Sequence, residues 1–197
     1  MKTALIFDTE TTGLPDFKAS THAPHQPHIV QLAWKVYHEG VCVVSESSLI
    51  DSEHESDPGA EAVHKKSMAI RKRFGLPLDH VLNRFFDDAE LVDVVVAHNL
   101  QFDMRMISRE AYQKYPIDET QSPWSKFNTK EGYCTMMRSV DKCQIPGPRG
   151  FKWPKLIEAY KTLVDPAGFE GAHDAMVDVE ACAKIYFKLT DPIKSNL

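Results

Sequence analysis

The 197-residue chain lacks what would place it in a membrane, in an oxidising compartment or along the length of a nucleic acid. No apolar run approaches the roughly 20 residues of a membrane-spanning helix. The first acid, Asp8, comes too early for a secretory leader. The four cysteines, Cys42, Cys134, Cys143 and Cys182, include no closely spaced pair of the metal-binding or redox kind. Reduced thiols in a soluble, cytoplasmic protein are the expectation. Basic residues are in deficit: 23 Lys and Arg face 28 Asp and Glu, for a formal net charge of −5. A protein that coats long nucleic acid carries a basic surface, and that class is excluded. An enzyme that grips only a strand end needs few phosphate contacts, and bound divalent cations would reverse the local sign of charge. Internal repeats are lacking as well.

What remains is an ordinary globular composition, 43% hydrophobic and 26% charged. The length fits a single domain, residues 1–197. Residues 3–7, 28–37 and 41–50 read as strands, with Glu39-Gly40 as a tight turn, so the first three strands run antiparallel if they meander. Residues 59–67 and 78–87 read as helices and the valine-rich 91–97 as a buried strand. Asn99 is a suitable N-cap for the helix that follows, and 133–136 reads as one more short strand. Two stretches bearing proline and glycine, 115–132 and 141–152, read as long loops of the kind that often carries function. In the first, Trp124 and Phe127 either stack on unpaired bases or pack the loop onto the core. The three evenly spaced histidines of 21–28 read as a polar, proline-bearing loop rather than a metal site.

Four carboxylates stand apart from this background. Asp8 and Glu10 are alternate residues of a strand, so both reach the same face, with Thr9 on the other. At helical spacing, Leu100, Met104, Ile107 and Ala111 form one apolar stripe, with Asp103 at its edge. Ala175, Val179, Cys182, Tyr186 and Leu189 form another, with Asp178 beside it. A carboxylate at the edge of a core-facing stripe is costly unless compensated. One such acid is explained by a buried hydrogen bond; two of them plus a strand pair point to shared cations. Oxygen-only donors select hard ions, Mg²⁺ or Mn²⁺, and without them the crowded acids would raise one another's pKa values. Two such cations about 4 Å apart suit in-line displacement at phosphorus. His173 falls just ahead of the last helix, five residues before Asp178. A neutral imidazole there either takes a proton from an attacking water or caps the helix.

Three segments, DTETTGL at 8–14, AHNLQFD at 97–103 and HDAMVD at 173–178, resemble in order the motifs of the DEDDh (DnaQ-like) exonuclease family. That family includes the proofreading epsilon subunit of bacterial DNA polymerase III and free-standing relatives. The resemblance implies an α/β, ribonuclease H-like fold with a mixed five-stranded sheet flanked by helices. It implies metal-dependent 3′→5′ release of nucleoside 5′-monophosphates from single-stranded or frayed DNA ends. Asp8, Glu10, Asp103 and Asp178 match the ligands of two divalent cations, and His173 matches the general base. Thr11 and Leu14 match positions that contact the terminal nucleotide, and Asn99 one found near bound substrate. His64 falls in a segment that resembles a wall of the 3′-end pocket; its plainer reading is an exposed histidine at a helix end. Lys142, Arg149, Lys152 and Lys155, around the resembling segment Pro154-Lys155-Leu156, either contact phosphates or form a solvated basic loop. An exoribonuclease of the same fold and a subunit bound to a DNA polymerase are the alternatives. The chain stops soon after the last helix, so a free-standing enzyme is the expectation.

Overall fold

The structure, a computed structural model, describes residues 2–115 and 122–190. The apolar run at 4–7 opens β1 (Ala4–Thr11) in the middle of the sheet. β2 (Ile29–His38) and β3 (Val41–Asp51) form a hairpin around Glu39 and Gly40, both at positive φ (48° and 81°). Positive φ at both central residues is what a tight two-residue hairpin with the natural strand twist requires. Then come α1 (Pro58–His64), α2 (Met68–Phe74), β4 (Leu76–Pro77), α3 (Leu78–Glu90), β5 (Val94–Ala97) and α4 (Leu100–Lys114). The remainder is α5 (Pro123–Asn128), β6 (Glu131–Cys134), α6 (Thr135–Arg138), α7 (Val140–Cys143), a small hairpin of β7 (Pro146–Gly147) and β8 (Gly150–Phe151), α8 (Leu156–Leu163) and α9 (Ala175–Thr190).

The sheet order is β4-β3-β2-β1-β5-β6. β1 to β3 form the expected antiparallel meander, and β5 and β6 run parallel to β1. The mixed five-stranded sheet is therefore present, lengthened at one edge by the two-residue β4. The two-residue alternation of β1 divides the core. Leu5 and Phe7 pack with residues of α3, α4 and α5; Ala4 and Ile6 pack with α9, against which α8 forms an outer layer.

The local differences have local causes. The helix expected over 59–67 stops at His64 because Lys65 turns left-handed (φ 59°). Ser67 then caps a second helix, α2, its hydroxyl accepting the Ile70 N–H (3.4 Å). The helix expected to end at 87 continues to Glu90, so the next strand begins only at Val94. The short strand placed at 133–136 lies at Glu131–Cys134, and Thr135 already belongs to α6. Both long loops contain structure: α5 in 115–132, of which 116–121 lie outside the described residues, and α7 with the β7–β8 hairpin in 141–152. Phe127 is 2% exposed and packs edge-on against Phe7, Phe85 and Phe86, with Trp124 beside it. Of the two readings of that pair, the core takes them. Phe127→Ala is expected to destabilise the fold by about 3–5 kcal/mol in chemical denaturation; a loss under about 1 kcal/mol would contradict this packing. Among the described residues no helix is long and apolar enough to cross a membrane. All four cysteines are free.

Candidate active site

β1 and β5 pair only through Ala4–Ile6 and Val94–Val96. β5 ends at Ala97 and the chain turns into α4, whereas β1 runs on to Thr11, still paired with β2. A crevice opens where the two strands part, beyond the carboxyl end of β5, the place where open α/β sheets bind ligands. Asp8 and Glu10 continue the face of β1 that Ile6 presents to α9. Asp178 enters from the first turn of α9, and Asp103 from the first turn of α4 on the opposite face. Asp103 is 2% exposed, and its Oδ1 accepts both the N–H (3.0 Å) and the hydroxyl (2.8 Å) of Thr9. Thr9, read from alternation only as the residue facing away from Asp8 and Glu10, is thus what anchors the third acid. Asp178 Oδ2 accepts the His173 N–H (3.1 Å), while its buried Oδ1 has no hydrogen-bond partner among the described residues.

Glu10, His173 and Asp178 each offer a ligand atom within 4.8 Å of the others. Asp8 and Asp103 lie outside that group of mutually close donors but are joined to it electrostatically. Burial holds the Asp8 carboxyl well above the usual range, and Asp103, Asp178, Glu10 and Asp174 push it further. Burial pushes Glu10 up to about 8 against the pull of the Lys66 ammonium, with Asp178, Asp103 and Asp174 adding to the rise. Burial takes Asp103 to about 7, although the Thr9 hydrogen bonds oppose it. Asp178 is likewise raised, by burial first, against the His173 N–H. Acids that repel one another when ionised, one of them with an orphaned buried oxygen, fit a site for divalent cations. The carboxylate donors suit hard ions, and the imidazole in the group would also suit a borderline ion such as Zn²⁺.

A cavity of about 600 Å³ adjoins these groups, lined by Asp8, Glu10, Thr11, Leu14, His64, Phe102 and His173 among others. Thr11 is buried, its hydroxyl donating to the Gly13 carbonyl (2.7 Å), and Leu14 projects at 86% exposure. At Gly13 a Cβ would stand 2.4 Å from Asp57 Oδ2, so a larger residue there would push the exposed Asp57 carboxylate aside. His64 is not the exposed helix-end residue of its plainer reading: it is 3% exposed and its Nδ1 accepts the Lys66 N–H (2.9 Å). Burial, with the charges of Lys66 and Arg71, holds its pKa below the ordinary value.

One expectation, the capping role of Asn99, is corrected. Asn99 precedes α4, but its side chain makes no capping hydrogen bond; it adopts a left-handed φ of 76°, which asparagine tolerates well. It also stands outside the 600 Å³ cavity and lines a separate groove of about 460 Å³ with Leu100, Met104 and Trp153. Lys152, part-exposed in the loop, pairs with both carboxylate oxygens of Glu158 (2.7 and 2.8 Å). Three further residues, Lys66, Gln31 and Asp174, stand near the centre. Lys66 Nζ lies 3.3 Å from Asp174 Oδ2, and Gln31 orients the same turn, donating to Asp174 Oδ2 (3.3 Å) and accepting the Ala175 N–H (3.1 Å). Asp174 was legible as an acid beside His173 at a helix start. Lys66, between two short helices, carries no local signal.

By sequence the chain matches no family model and no curated protein. In three dimensions it is similar to solved structures of exonuclease I. One is that of E. coli exonuclease I in complex with a dT13 oligonucleotide (16% identity, TM-score 0.73, 96% of this chain, 41% of that one). Another is the zinc ion-bound form of the E. coli enzyme with single-stranded DNA (18%, 0.70, 99% and 41%). A third is the moderately thermophilic exonuclease I from Methylocaldum szegediense (17%, 0.68, 96% and 40%). The fold is ribonuclease H-like. The architecture implied by the three motifs is thus the one found, and the chain spans about two fifths of the length of these structures.

Proposed function

We propose that the protein is a divalent-metal-dependent 3′→5′ exonuclease that removes nucleoside 5′-monophosphates from single-stranded or frayed DNA ends. The observation that carries this reading is that Glu10, His173 and Asp178 offer donor atoms within 4.8 Å of one another beside a cavity, with Asp8 and Asp103 joined to them electrostatically. The DEDDh-like motifs and the likeness to exonuclease I structures solved with single-stranded DNA support it. Mg²⁺ or Mn²⁺ bound by the four carboxylates would supply charge neutralisation and electrophilic assistance at the scissile phosphate. The chain's own residues do the rest. The exposed imidazole of His173 takes a proton from the attacking water, whose oxygen bonds to phosphorus as the P–O3′ bond breaks; the departing 3′-oxyanion takes up a proton from solvent and becomes the new 3′-hydroxyl of the strand. Thr11 and His64 wall the space for the terminal nucleotide, and Leu14 offers its exposed apolar side chain to a base. A narrow end pocket demands unpaired nucleotides, and a chain of net charge −5 suits end-on rather than lengthwise binding.

Digestion of matched 5′-labelled DNA and RNA strands with Mg²⁺, Mn²⁺ or EDTA tests this. Progressive shortening from the 3′ end, faster on DNA and abolished by EDTA, is expected. Immediate release of the labelled 5′ nucleotide, or cutting that persists in EDTA, would overturn the reading. Faster digestion of RNA would replace the substrate and keep the mechanism.

A further inference from the structure

An ammonium group is built against the acidic centre. The Lys66 side chain is only 11% exposed, and its Nζ contacts three oxygens: the His64 carbonyl (2.9 Å), the His173 carbonyl (3.4 Å) and Asp174 Oδ2 (3.3 Å). Three acceptors match the three N–H donors of an ammonium, so the group is saturated within the fold rather than held ready for a strand phosphate. The acceptors come from two places far apart in sequence. His64 ends α1 and walls the cavity; 173–174 is the turn into α9 that carries the imidazole. Both segments hold a non-glycine residue in left-handed conformation, Lys65 at φ 59° and His173 at φ 70°. Such conformations persist only where surrounding contacts over-determine them.

At His173 the contacts are explicit. Its N–H is held by Asp178 and its carbonyl by Lys66, while its exposed imidazole makes no hydrogen bond among the described residues. The backbone therefore aims the ring, and Lys66 supplies one of the two bonds that hold that backbone. We propose that Lys66 is a positioning residue, its ammonium clasping the cavity wall at His64 to the turn at His173 and Asp174 and so setting where the imidazole stands. This inference rests on the exonuclease reading for its catalytic consequence, though not for the clasp itself.

The test uses the full chain with Lys66→Met, which keeps the stem and removes charge and donors, and Lys66→Arg, which keeps both. Single-turnover cutting of 5′-labelled single-stranded DNA at saturating Mg²⁺, binding of a phosphorothioate strand, and amide hydrogen exchange across the turn before α9 are measured together. Lys66→Met is expected to slow cutting about tenfold or more, since small misplacements of a reacting group are costly. Strand affinity should stay within about twofold, exchange around His173 should quicken at least about fivefold, and Lys66→Arg should recover most of the rate. If Lys66→Met does not fold, Asp174→Asn replaces it, expected to shift rate and exchange in the same direction by about two- to fivefold. With an active wild type, a variant that cuts within twofold of it, or that loses rate only through strand affinity, overturns the proposal. A wild type that cuts nothing overturns the exonuclease reading instead, and unchanged exchange in Lys66→Met then overturns the clasp by itself.

Discussion

Asp8→Asn is expected to lower strand cutting by at least about 10³-fold and, at the same time, to raise the melting temperature of the metal-free protein at about pH 8 by several degrees. The first effect follows from removing a charge from the acids that would hold the cations. The second follows from the direction of the pKa shifts. Burial, followed by neighbouring carboxylates, lifts Asp8 well above its ordinary value; burial likewise puts Glu10 at about 8 and Asp103 at about 7. Across the range between ordinary and shifted values the folded state binds more protons than the unfolded one, so stability falls as pH rises. The contribution of these groups is full below the ordinary carboxylate range and lost through about pH 7–8. An asparagine at position 8 removes one member of the repulsion. The stabilisation should therefore be large at about pH 8, shrink towards zero at about pH 4, and be matched in the wild type by added Mg²⁺. Calorimetry with and without EDTA at the two pH values measures this. A variant less stable than wild type at the higher pH without metal, or one that still cuts at wild-type rate, would remove Asp8 from the site.

His173→Ala is expected to slow turnover about 10²- to 10³-fold, with strand affinity within about threefold and stability within about 0.5 kcal/mol. The exposure of the ring and its lack of a hydrogen bond among the described residues predict that the fold will not miss it. Alanine, like histidine, carries a Cβ, so the variant must still hold position 173 at a φ of 70°. Because the imidazole also lies within ligand distance of Glu10 and Asp178, the rate is measured across a Mg²⁺ titration. A rate restored at high Mg²⁺ would make His173 a ligand; a deficit that persists at saturation makes it the proton acceptor. Equal losses in affinity and rate would assign it to strand binding.

The acidic centre was legible in the chain because its geometry is local. Asp8 and Glu10 share a face by strand alternation, and Asp103 and Asp178 sit at stripe edges by helical spacing, both of which sequence periodicity records. The meander and the buried strand after it were legible for the same reason, from apolar runs and a two-residue turn, whereas the parallel pairing of that strand with β1 was not. Where reading failed, the deciding contact spans the chain. Thr9 meets Asp103 across 94 positions, and Lys66 meets the His173 carbonyl across 107. The burial of His64 likewise depends on which elements become neighbours, as does the choice of the core over unpaired bases for Phe127. The chain by itself determined which side chains carry charge and which way each faces along its own strand or helix. Only the tertiary structure decided their partners, since periodicity encodes direction within an element, whereas a hydrogen bond between elements depends on how the sheet and its helices close together.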